Sequence, residues 1–154
     1  MFRIKRTYDT PARGDGRRIL VERLWPRGMK KEALDADGWI KEVAPSTELR
    51  QWFGHEIDRW EEFRRRYRKE LDANPAAWEP LLDTGRRHTV TLLYSAHDVV
   101  HNSAVVLHDY LMERQVGRSR RAKVSGHEPT SRISRKRPSA KERFGSSTGR
   151  RAGK

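Results

Sequence analysis

A change in composition at Gly117 is the feature that most limits how this chain can fold. Of the first 116 residues 47 are apolar, whereas only 6 of the 38 residues from Gly117 onward are. The first segment can bury a core, but the second cannot bury enough apolar surface to offset the entropy lost on ordering its chain. The sequence therefore predicts one folded domain over residues 1–116 and a disordered tail over residues 117–154.

The positive charge of the protein follows the same division. The chain has a formal net charge of +13, and the tail, with 13 basic and 2 acidic residues, holds +11 of it. The folded segment is left with +2. The basic character thus belongs to the tail, and we expect residues 1–116 to bind a nucleic-acid duplex poorly.

Several classes of protein are excluded or disfavoured by composition. The sequence contains no cysteine, which rules out disulfides, thiolate nucleophiles and cysteine-based zinc sites. It also lacks an apolar run of 18 residues and the apolar region of a signal peptide. We therefore expect a soluble, cytoplasmic protein that has no membrane partner.

Strand and helix patterns alternate along residues 1–116. Strands are predicted near Phe2–Ile4, at 19–21 and most clearly at 89–94 (TVTLLY), while the pattern at 39–44 leaves strand and helix open. A short helix is predicted over 47–53, with Ser46 or Thr47 as its cap, and a longer one from Asp58, with apolar residues at 60, 63, 67 and 71. A third helix should begin at Pro75 and end at Gly85. The last helix should run from the Ser95–Asn102 loop to about Val116. This alternation predicts an α/β fold: a small, mostly parallel sheet of about three to four strands with helices on both faces.

Two loops follow the predicted strands and should meet at the carboxyl edge of the sheet, where open α/β sheets bind ligands. In the first loop, RLWPRGMKK, Arg23 and Arg27 carry guanidinium groups that match phosphate or carboxylate geometry. Trp25 could supply a flat wall, and Gly28 permits a positive φ or a close approach of the backbone to a ligand. The second loop leads into a helix N-terminus, which suits an anion.

Other interpretations of the same residues remain open. Arg23 could pair with Glu22 or Asp9, Trp25 could belong to the core, and Pro-Arg-Gly could be only a turn. His97 and His101 have the i, i+4 spacing of metal-binding pairs, but no third ligand is evident, so we predict no metal and no cofactor. Ser95 near His97 lacks the G-x-S-x-G turn that would favour a serine hydrolase.

The motifs RLWPRG, PSTELRQWFGH (residues 45–55), LLYSAHD and HNSAVVL occur in an order that resembles domain-of-unknown-function family 488, in its small bacterial YeaO-like branch, over about Phe2 to Leu111. The resemblance implies an α/β fold and no settled activity. Distant members carry cysteines near the last strand and helix, so thiol chemistry does not transfer to this chain. A lysine is expected in close relatives where His97 stands, which weakens any role that needs a permanent charge there. The site positions that the resemblance implies are Arg23, Trp25, Pro26, Arg27, Gly28, Lys30, Ser46, Leu49, Arg50, Trp52, His55, Tyr94, Ser95, Ala96 and Asn102. Those that we assign to ligand binding are Arg23, Trp25, Arg27, Gly28, Lys30, Ser46, Arg50, Trp52, Tyr94, Ser95 and Asn102.

These observations lead to a first functional hypothesis, a domain that binds an anionic, nucleotide-like small molecule. Arg23, Arg27 and Arg50 would clamp the anion, and Trp25 or Trp52 would stack on it. His55 is the obvious proton-transfer group and the one catalytic candidate. No motif specifies a reaction class or an oligomeric state, so whether the protein is an enzyme stays open.

The second hypothesis is a nucleic-acid-associated protein, because a basic tail interrupted by Ser, Gly and Pro can attach to a phosphate backbone without sequence preference. A third hypothesis is a structural interaction module whose charged loop is only solvated. The cations assigned to nucleic-acid binding are Arg118, Arg120, Arg121, Lys123, Arg135, Lys136, Arg137, Arg150 and Arg151.

Overall fold

The computed structural model of the protein describes residues 1–125. At its centre is a four-stranded sheet made of β1 (Phe2–Arg6), β2 (Arg17–Leu20), β3 (Gly38–Trp39) and β4 (Val90–Tyr94). All neighbouring strands are parallel, in the order β1-β4-β2-β3. The predicted small parallel α/β sheet is therefore confirmed, and the predicted TVTLLY strand lies inside it with every residue of β4 buried.

Five α-helices accompany the strands in this part of the chain. They are α1 (Lys31–Leu34), α2 (Thr47–Phe53), α3 (Trp60–Ala73), α4 (Pro75–Arg87) and α5 (Ser103–Ser125), with short 3-10 segments at Arg13–Asp15, Lys41–Val43 and Ile57–Arg59. The segment 39–44, which the sequence leaves open between strand and helix, contains both, because β3 ends at Trp39 and a 3-10 turn follows.

Helices α2 to α5 cover one face of the sheet. Phe63, Tyr67 and Leu71 form the buried stripe of α3 that their spacing predicts, and they join Leu92 of β4 and Leu107 of α5 in one apolar cluster. This cluster is the main core of the domain.

Among residues 1–125, the short helix α1 is the one α-helix on the opposite face of the sheet. Its apolar contacts are centred on Leu20, Leu34 and Leu93, all fully buried. Beside them, the buried carboxylate of Asp15 forms ion pairs with Arg18 and Lys5. The two faces thus differ in chemistry as well as in size.

The predicted helix end at Gly85 is wrong. Helix α4 continues to Arg87, and Gly85 is buried inside it. A Cβ on Gly85 would lie 2.3 Å from Cζ of the Phe2 ring, so the missing side chain allows β1 to pack against α4. The glycine serves close packing rather than helix termination.

The predicted end of the last helix near Val116 is wrong, whereas the domain boundary predicted at the same place stays a prediction. Helix α5 continues to Ser125, and its residues 117–123 are exposed. Arginine, lysine and alanine have favourable helix propensities and here extend a helix that the core has already nucleated. The rest of the predicted tail, residues 126–154, lies outside the described residues. No helix within residues 1–125 is long and apolar enough to cross a membrane.

Candidate functional site

A crevice of about 270 Å³ opens at the carboxyl edge of the sheet. We call it the carboxyl-edge crevice. It lies between the loop after β2 and the loop after β4, as the topology of parallel strands predicts. Its lining residues are Glu22, Arg23, Leu24, Trp25, Pro26, Arg27, Ala44, Pro45, Arg50, Phe53, His55, Phe63, Ser95, Ala96, Asn102 and Ser103.

The two loops are joined by a carboxylate that the sequence did not single out as a site residue. Glu22 accepts hydrogen bonds from the Ser95 N–H at 2.9 Å and from the Ser95 hydroxyl at 2.6 Å. The sequence suggested Glu22 as a partner of Arg23, but its acceptors are occupied by Ser95 instead. The sequence did offer one indication of this contact, because Glu22 comes shortly after one predicted strand and Ser95 directly follows another, and both strands end at the same edge of the sheet. The contact fixes the base of the crevice.

The Pro-Arg-Gly sequence forms a tight turn that presents Arg27. Met29 N–H donates to the Pro26 carbonyl at 3.2 Å, and Gly28 takes a φ of 73°. A Cβ on Gly28 would meet no atom within 4 Å, so the turn geometry, not a close approach, requires the glycine. Arg27 stands exposed at the tip of this turn.

Trp25 is partly a structural residue. Its indole N–H donates to the Met29 carbonyl at 2.6 Å, and its ring meets Trp39 edge-on with centroids 5.3 Å apart. The side chain remains only half-buried and lines the crevice. Trp25 therefore fits both interpretations that the sequence left open: it packs against Trp39, and it also forms part of the crevice wall.

The three arginines of the predicted clamp differ in how they are held. Arg23 donates to the carbonyl oxygens of Pro45, at 3.1 Å, and Ala44, at 3.3 Å, which holds its guanidinium against the crevice wall. Arg27 and Arg50 are exposed, and within residues 1–125 their side chains form no hydrogen bond or ion pair. Two of the three guanidinium groups are thus available to a ligand.

The loop after β4 is organised by Asp98. Its carboxylate accepts hydrogen bonds from the N–H groups of His101, at 2.9 Å, and Val100, at 2.8 Å, and lies 2.8 Å from the His101 ring Nδ1. These hydrogen bonds lower the pKa of Asp98 to about 2. Asn102 then accepts from Val105 N–H at 3.1 Å and caps α5, so the N-terminus of this helix opens into the crevice.

The crevice gathers the catalytic candidate His55 and six of the predicted ligand-binding residues, namely Arg23, Trp25, Arg27, Arg50, Ser95 and Asn102. His55 is exposed and takes a φ of 59° after Gly54, with its ring 5.7 Å from that of Phe53. Phe53, Phe63 and Ser103 also line the crevice and were missed, because the first two read as ordinary core positions of their helices.

The other five predicted ligand-binding residues lie outside the crevice lining. Gly28 and Lys30 are exposed on the loop beyond it, and Tyr94 is buried at the end of β4, where burial raises its pKa. Ser46 caps α2 and donates its hydroxyl to Glu70 at 2.5 Å. Trp52 faces cations, with the Arg66 guanidinium 4.3 Å from its ring centroid.

The histidines considered as metal ligands have separate partners. His101 contacts Asp98, and the His108 ring nitrogens lie 3.1 Å from Asp109 and 3.3 Å from the Phe2 carbonyl. His97 lies 3.4 Å from Arg6. Within residues 1–125, no three His, Asp or Glu side chains are grouped so that they could hold a metal ion.

The predicted nucleic-acid-binding cations fall into two groups. Arg118, Arg120, Arg121 and Lys123 are exposed on the last part of α5, where Arg118 lies 3.5 Å from Glu79. Arg135, Lys136, Arg137, Arg150 and Arg151 lie outside the described residues.

Comparisons with known proteins identify relatives over most of the chain. A family described as "Inactive DUF488-N3 subclade" matches residues 1–131. Uncharacterized protein YeaO of Escherichia coli (strain K12) is 47% identical over 107 residues, which cover 70% of this chain and 93% of that protein. Uncharacterized protein Rv3073c of Mycobacterium tuberculosis (strain H37Rv) is 39% identical over 112 residues, 73% of this chain and 94% of the relative. No solved structure matches the chain.

Proposed function

This chain belongs to domain-of-unknown-function family 488, in the subclade described as inactive, and we propose that its domain binds an anionic, nucleotide-like small molecule in the carboxyl-edge crevice. The observation that carries the proposal is the pair Arg27 and Arg50. Both line the crevice, and neither has a protein acceptor within the described part of the chain.

The charges around the crevice favour an anion. Three arginines line it, and the N-terminus of α5 adds the positive end of a helix dipole. Glu22 is the acidic residue among the lining residues, and both of its oxygens already accept hydrogen bonds from Ser95. A bound phosphate or carboxylate would therefore meet guanidinium donors rather than a free carboxylate.

The size and walls of the crevice favour a small ligand with a flat ring. Its volume of about 270 Å³ lies just below the range of about 300–1,000 Å³ common for small-molecule pockets. Trp25, Phe53 and Phe63 contribute aromatic surface beside the cations. This combination is typical of sites that hold a ring on one side and an anionic group on the other.

Two facts support binding without thiol chemistry. The family is described as inactive, and this chain has no cysteine. His55 remains the lining side chain best suited to proton transfer, but it is exposed and no second titrating group orients it within the described residues. The proposal is therefore a binding domain.

Isothermal titration calorimetry tests this proposal with inorganic phosphate, AMP and uncharged adenosine. We expect AMP to bind more tightly than adenosine, and Arg27→Ala and Arg50→Ala each to weaken AMP binding by about ten- to a hundredfold, the effect of losing one hydrogen bond to a charged group. Lys69→Ala removes an exposed cation from α3 and should leave the affinity unchanged. No AMP or phosphate binding by the native protein would contradict the proposal, as would an Arg27→Ala protein that unfolds.

A second candidate function is association with nucleic acid through the end of α5. The observation that favours it is the row of four exposed cations on residues 117–123, a helical segment that has a single apolar residue, Ala122. Such a segment can neutralise phosphates but has little with which to read bases. Replacing Arg118, Arg120 and Arg121 by Gln should weaken binding to unrelated duplexes to the same extent, measured by fluorescence anisotropy.

A further inference from the structure

A polar groove runs along the opposite, amino edge of the sheet. It consists of two adjoining cavities of about 350 and 530 Å³ that share Arg17, Asp37 and His88. We call it the amino-edge groove. Its lining residues are Arg13, Gly14, Gly16, Arg17, Ile19, Asp37, Asp83, Thr84, Arg87, His88 and Thr89.

The fold brings three separate segments to this groove. Arg17 begins β2, and its N–H donates to the Thr89 carbonyl at 2.8 Å, just before β4. Arg87 ends α4, two residues before Thr89. Arg13 belongs to the 3-10 turn that precedes β2, and Gly16 allows this turn to lie against β4, since a Cβ there would stand 2.2 Å from the Thr89 carbonyl oxygen.

The arginine side chains of the groove have fewer protein partners than its aspartate side chains. Arg13, Arg17 and Arg87 are exposed, and their side chains form no hydrogen bond or ion pair within residues 1–125. By contrast, Asp37 accepts from the Arg18 N–H at 2.8 Å, and Asp83 lies 3.4 Å from Arg86. With three arginines and two aspartates, the groove lining carries a net charge of +1, and its guanidinium groups are the charged groups without a protein partner in this part of the chain.

The groove and the basic end of α5 lie at the same end of the molecule. The Gln115 side chain donates to the carbonyl of Gly85 at 3.1 Å, two residues before Arg87. Helix α5 thus passes the end of α4 immediately before the segment with Arg118, Arg120, Arg121 and Lys123. At about 1.5 Å per residue, residues 117–123 extend this helix by roughly 10 Å beyond the contact with Gly85.

We propose that the amino-edge groove is a nucleic-acid backbone site, in which Arg13, Arg17 and Arg87 contact phosphates that continue onto the end of α5. This inference extends the second candidate function, because it adds a folded surface to the helical extension. It departs from the expectation, drawn from the total charge of residues 1–116, that this segment binds a duplex poorly. Guanidinium forks suit phosphate oxygens, and three separate exposed arginines suit a repeating phosphate ligand better than one compact anion.

A nucleic acid fits this surface better than a membrane does. Interfacial helices insert an apolar face, whereas residues 117–123 include only Ala122 as an apolar residue and the groove lining includes only Ile19. Backbone contacts alone carry no sequence information, so the site should bind unrelated duplexes alike.

The experiment compares four full-length proteins by fluorescence anisotropy with two unrelated DNA duplexes, from 50 to 200 mM salt. The edge variant carries Arg13→Gln, Arg17→Gln and Arg87→Gln, and the extension variant carries Arg118→Gln, Arg120→Gln and Arg121→Gln. A control variant loses the same charge at exposed sites elsewhere, through Lys31→Gln, Lys41→Gln and Lys69→Gln. Native protein is the fourth.

We expect the edge variant to bind both duplexes more weakly and to reduce the log–log salt slope by about 2.7, which is about 0.9 for each lost phosphate contact. Over this fourfold salt range the native affinity should then fall about 40-fold more than that of the edge variant. The control variant should retain the native slope.

The outcomes separate this inference from the function it extends. An edge variant with the native slope, beside an extension variant that loses affinity, would overturn the groove and leave the second candidate function standing. Equal losses of duplex affinity in the edge and control variants would mean that only the total charge matters, and this would also overturn the groove as a nucleic-acid site. Native protein that binds no duplex, or that prefers anionic vesicles of phosphatidylserine over DNA, would overturn both.

Discussion

The two faces of the sheet are stabilised in different ways, although the same strands form both. On one face, Leu92 lies in a continuous apolar cluster built by α2 to α5. On the other, the adjacent residue Leu93 contacts only a small cluster around Leu20 and Leu34. The difference shows that a strand that is buried at every position does not require two equally large cores.

On the second face, a polar network replaces part of the missing apolar contacts. The guanidinium of Arg18 is buried, pairs with Asp15, and donates to the carbonyls of Asp35 at 2.9 Å and Leu34 at 2.8 Å. The Thr91 hydroxyl donates to the Asp15 carbonyl at 2.6 Å. This network connects the loop before β2 to the central strand. Hydrogen bonds and ion pairs therefore stabilise this face, whereas helix packing stabilises the first face.

The largest expected effect comes from the matched pair Leu92→Ala and Leu93→Ala. Both side chains are fully buried, so they lose the same apolar surface. We expect Leu92→Ala to lower the free energy of unfolding by about 4 kcal/mol and Leu93→Ala by about 2–3 kcal/mol, because the smaller cluster can collapse more fully around the cavity. Urea denaturation measures both, and a larger loss for Leu93→Ala would reverse the comparison between the faces.

Removing the charge of Asp15 should have the next largest effect. Asp15→Asn leaves Arg18 buried without its counter-ion, and we expect a loss of about 2 kcal/mol in unfolding free energy. Glu62→Gln is the matched control, since Glu62 also bridges two cations, Arg65 and Arg66, but on an exposed helix surface. Its loss should be clearly smaller than that of Asp15→Asn, because solvent screens an exposed ion pair. Similar losses for the two variants would show that burial adds nothing to the Asp15 network.

The Asp15 network also predicts how stability depends on pH. Burial raises the pKa of Asp15, but hydrogen bonds from the Ala12 N–H, Lys5 and Arg18 outweigh it and hold the pKa below its ordinary value of 3.8. A carboxylate with a lowered pKa stabilises the fold above 3.8, and that stabilisation is lost as the pH falls through the lower value. The gap in unfolding free energy between native protein and Asp15→Asn should therefore narrow below about pH 4. A gap that stays constant from pH 7 to pH 3 would contradict this.

The smallest expected effect comes from two buried threonines, Thr91 within β4 and Thr7 directly after β1. Thr91→Val removes the hydrogen bond to Asp15 and should lower the unfolding free energy by about 1 kcal/mol. The Thr7 hydroxyl is buried and has no hydrogen-bond partner within the described residues, so Thr7→Val should be neutral or stabilising. Thermal unfolding measures the difference, and equal losses would mean that the Thr91 hydrogen bond contributes nothing net.

The sequence predicted those parts of the fold that depend on local pattern. The apolar run before Tyr94 predicted the central strand, and the loops after β2 and β4 predicted the edge at which the crevice opens. Contacts between distant residues could not be predicted in this way. The carboxylate of Glu22 joins Ser95 across 73 positions, and Gly85 is determined by the ring of Phe2, so neither role is visible in a local window.

The same limit applies to the residues of the candidate site. The sequence left the cap of α2 open between Ser46 and Thr47; Ser46 is the cap, and its hydroxyl also donates to Glu70 on a later helix. Trp52 has a side chain suited to stacking on a ligand, yet the Arg66 guanidinium already lies over its ring. Side-chain type predicts what a residue can bind, whereas the neighbours that the fold supplies decide what it does bind.

The parallel pairing of β1 with β4 has a consequence for how the protein is made on the ribosome. Phe2 pairs with Val90, so β1 must wait during translation for a partner encoded 88 residues later. At about 5–20 residues per second, this interval lasts roughly 4–18 s. During that time the nascent strand presents Phe2 and Ile4, and the intervening Arg3, Lys5 and Arg6 act as charged gatekeepers that disfavour its pairing with other nascent chains.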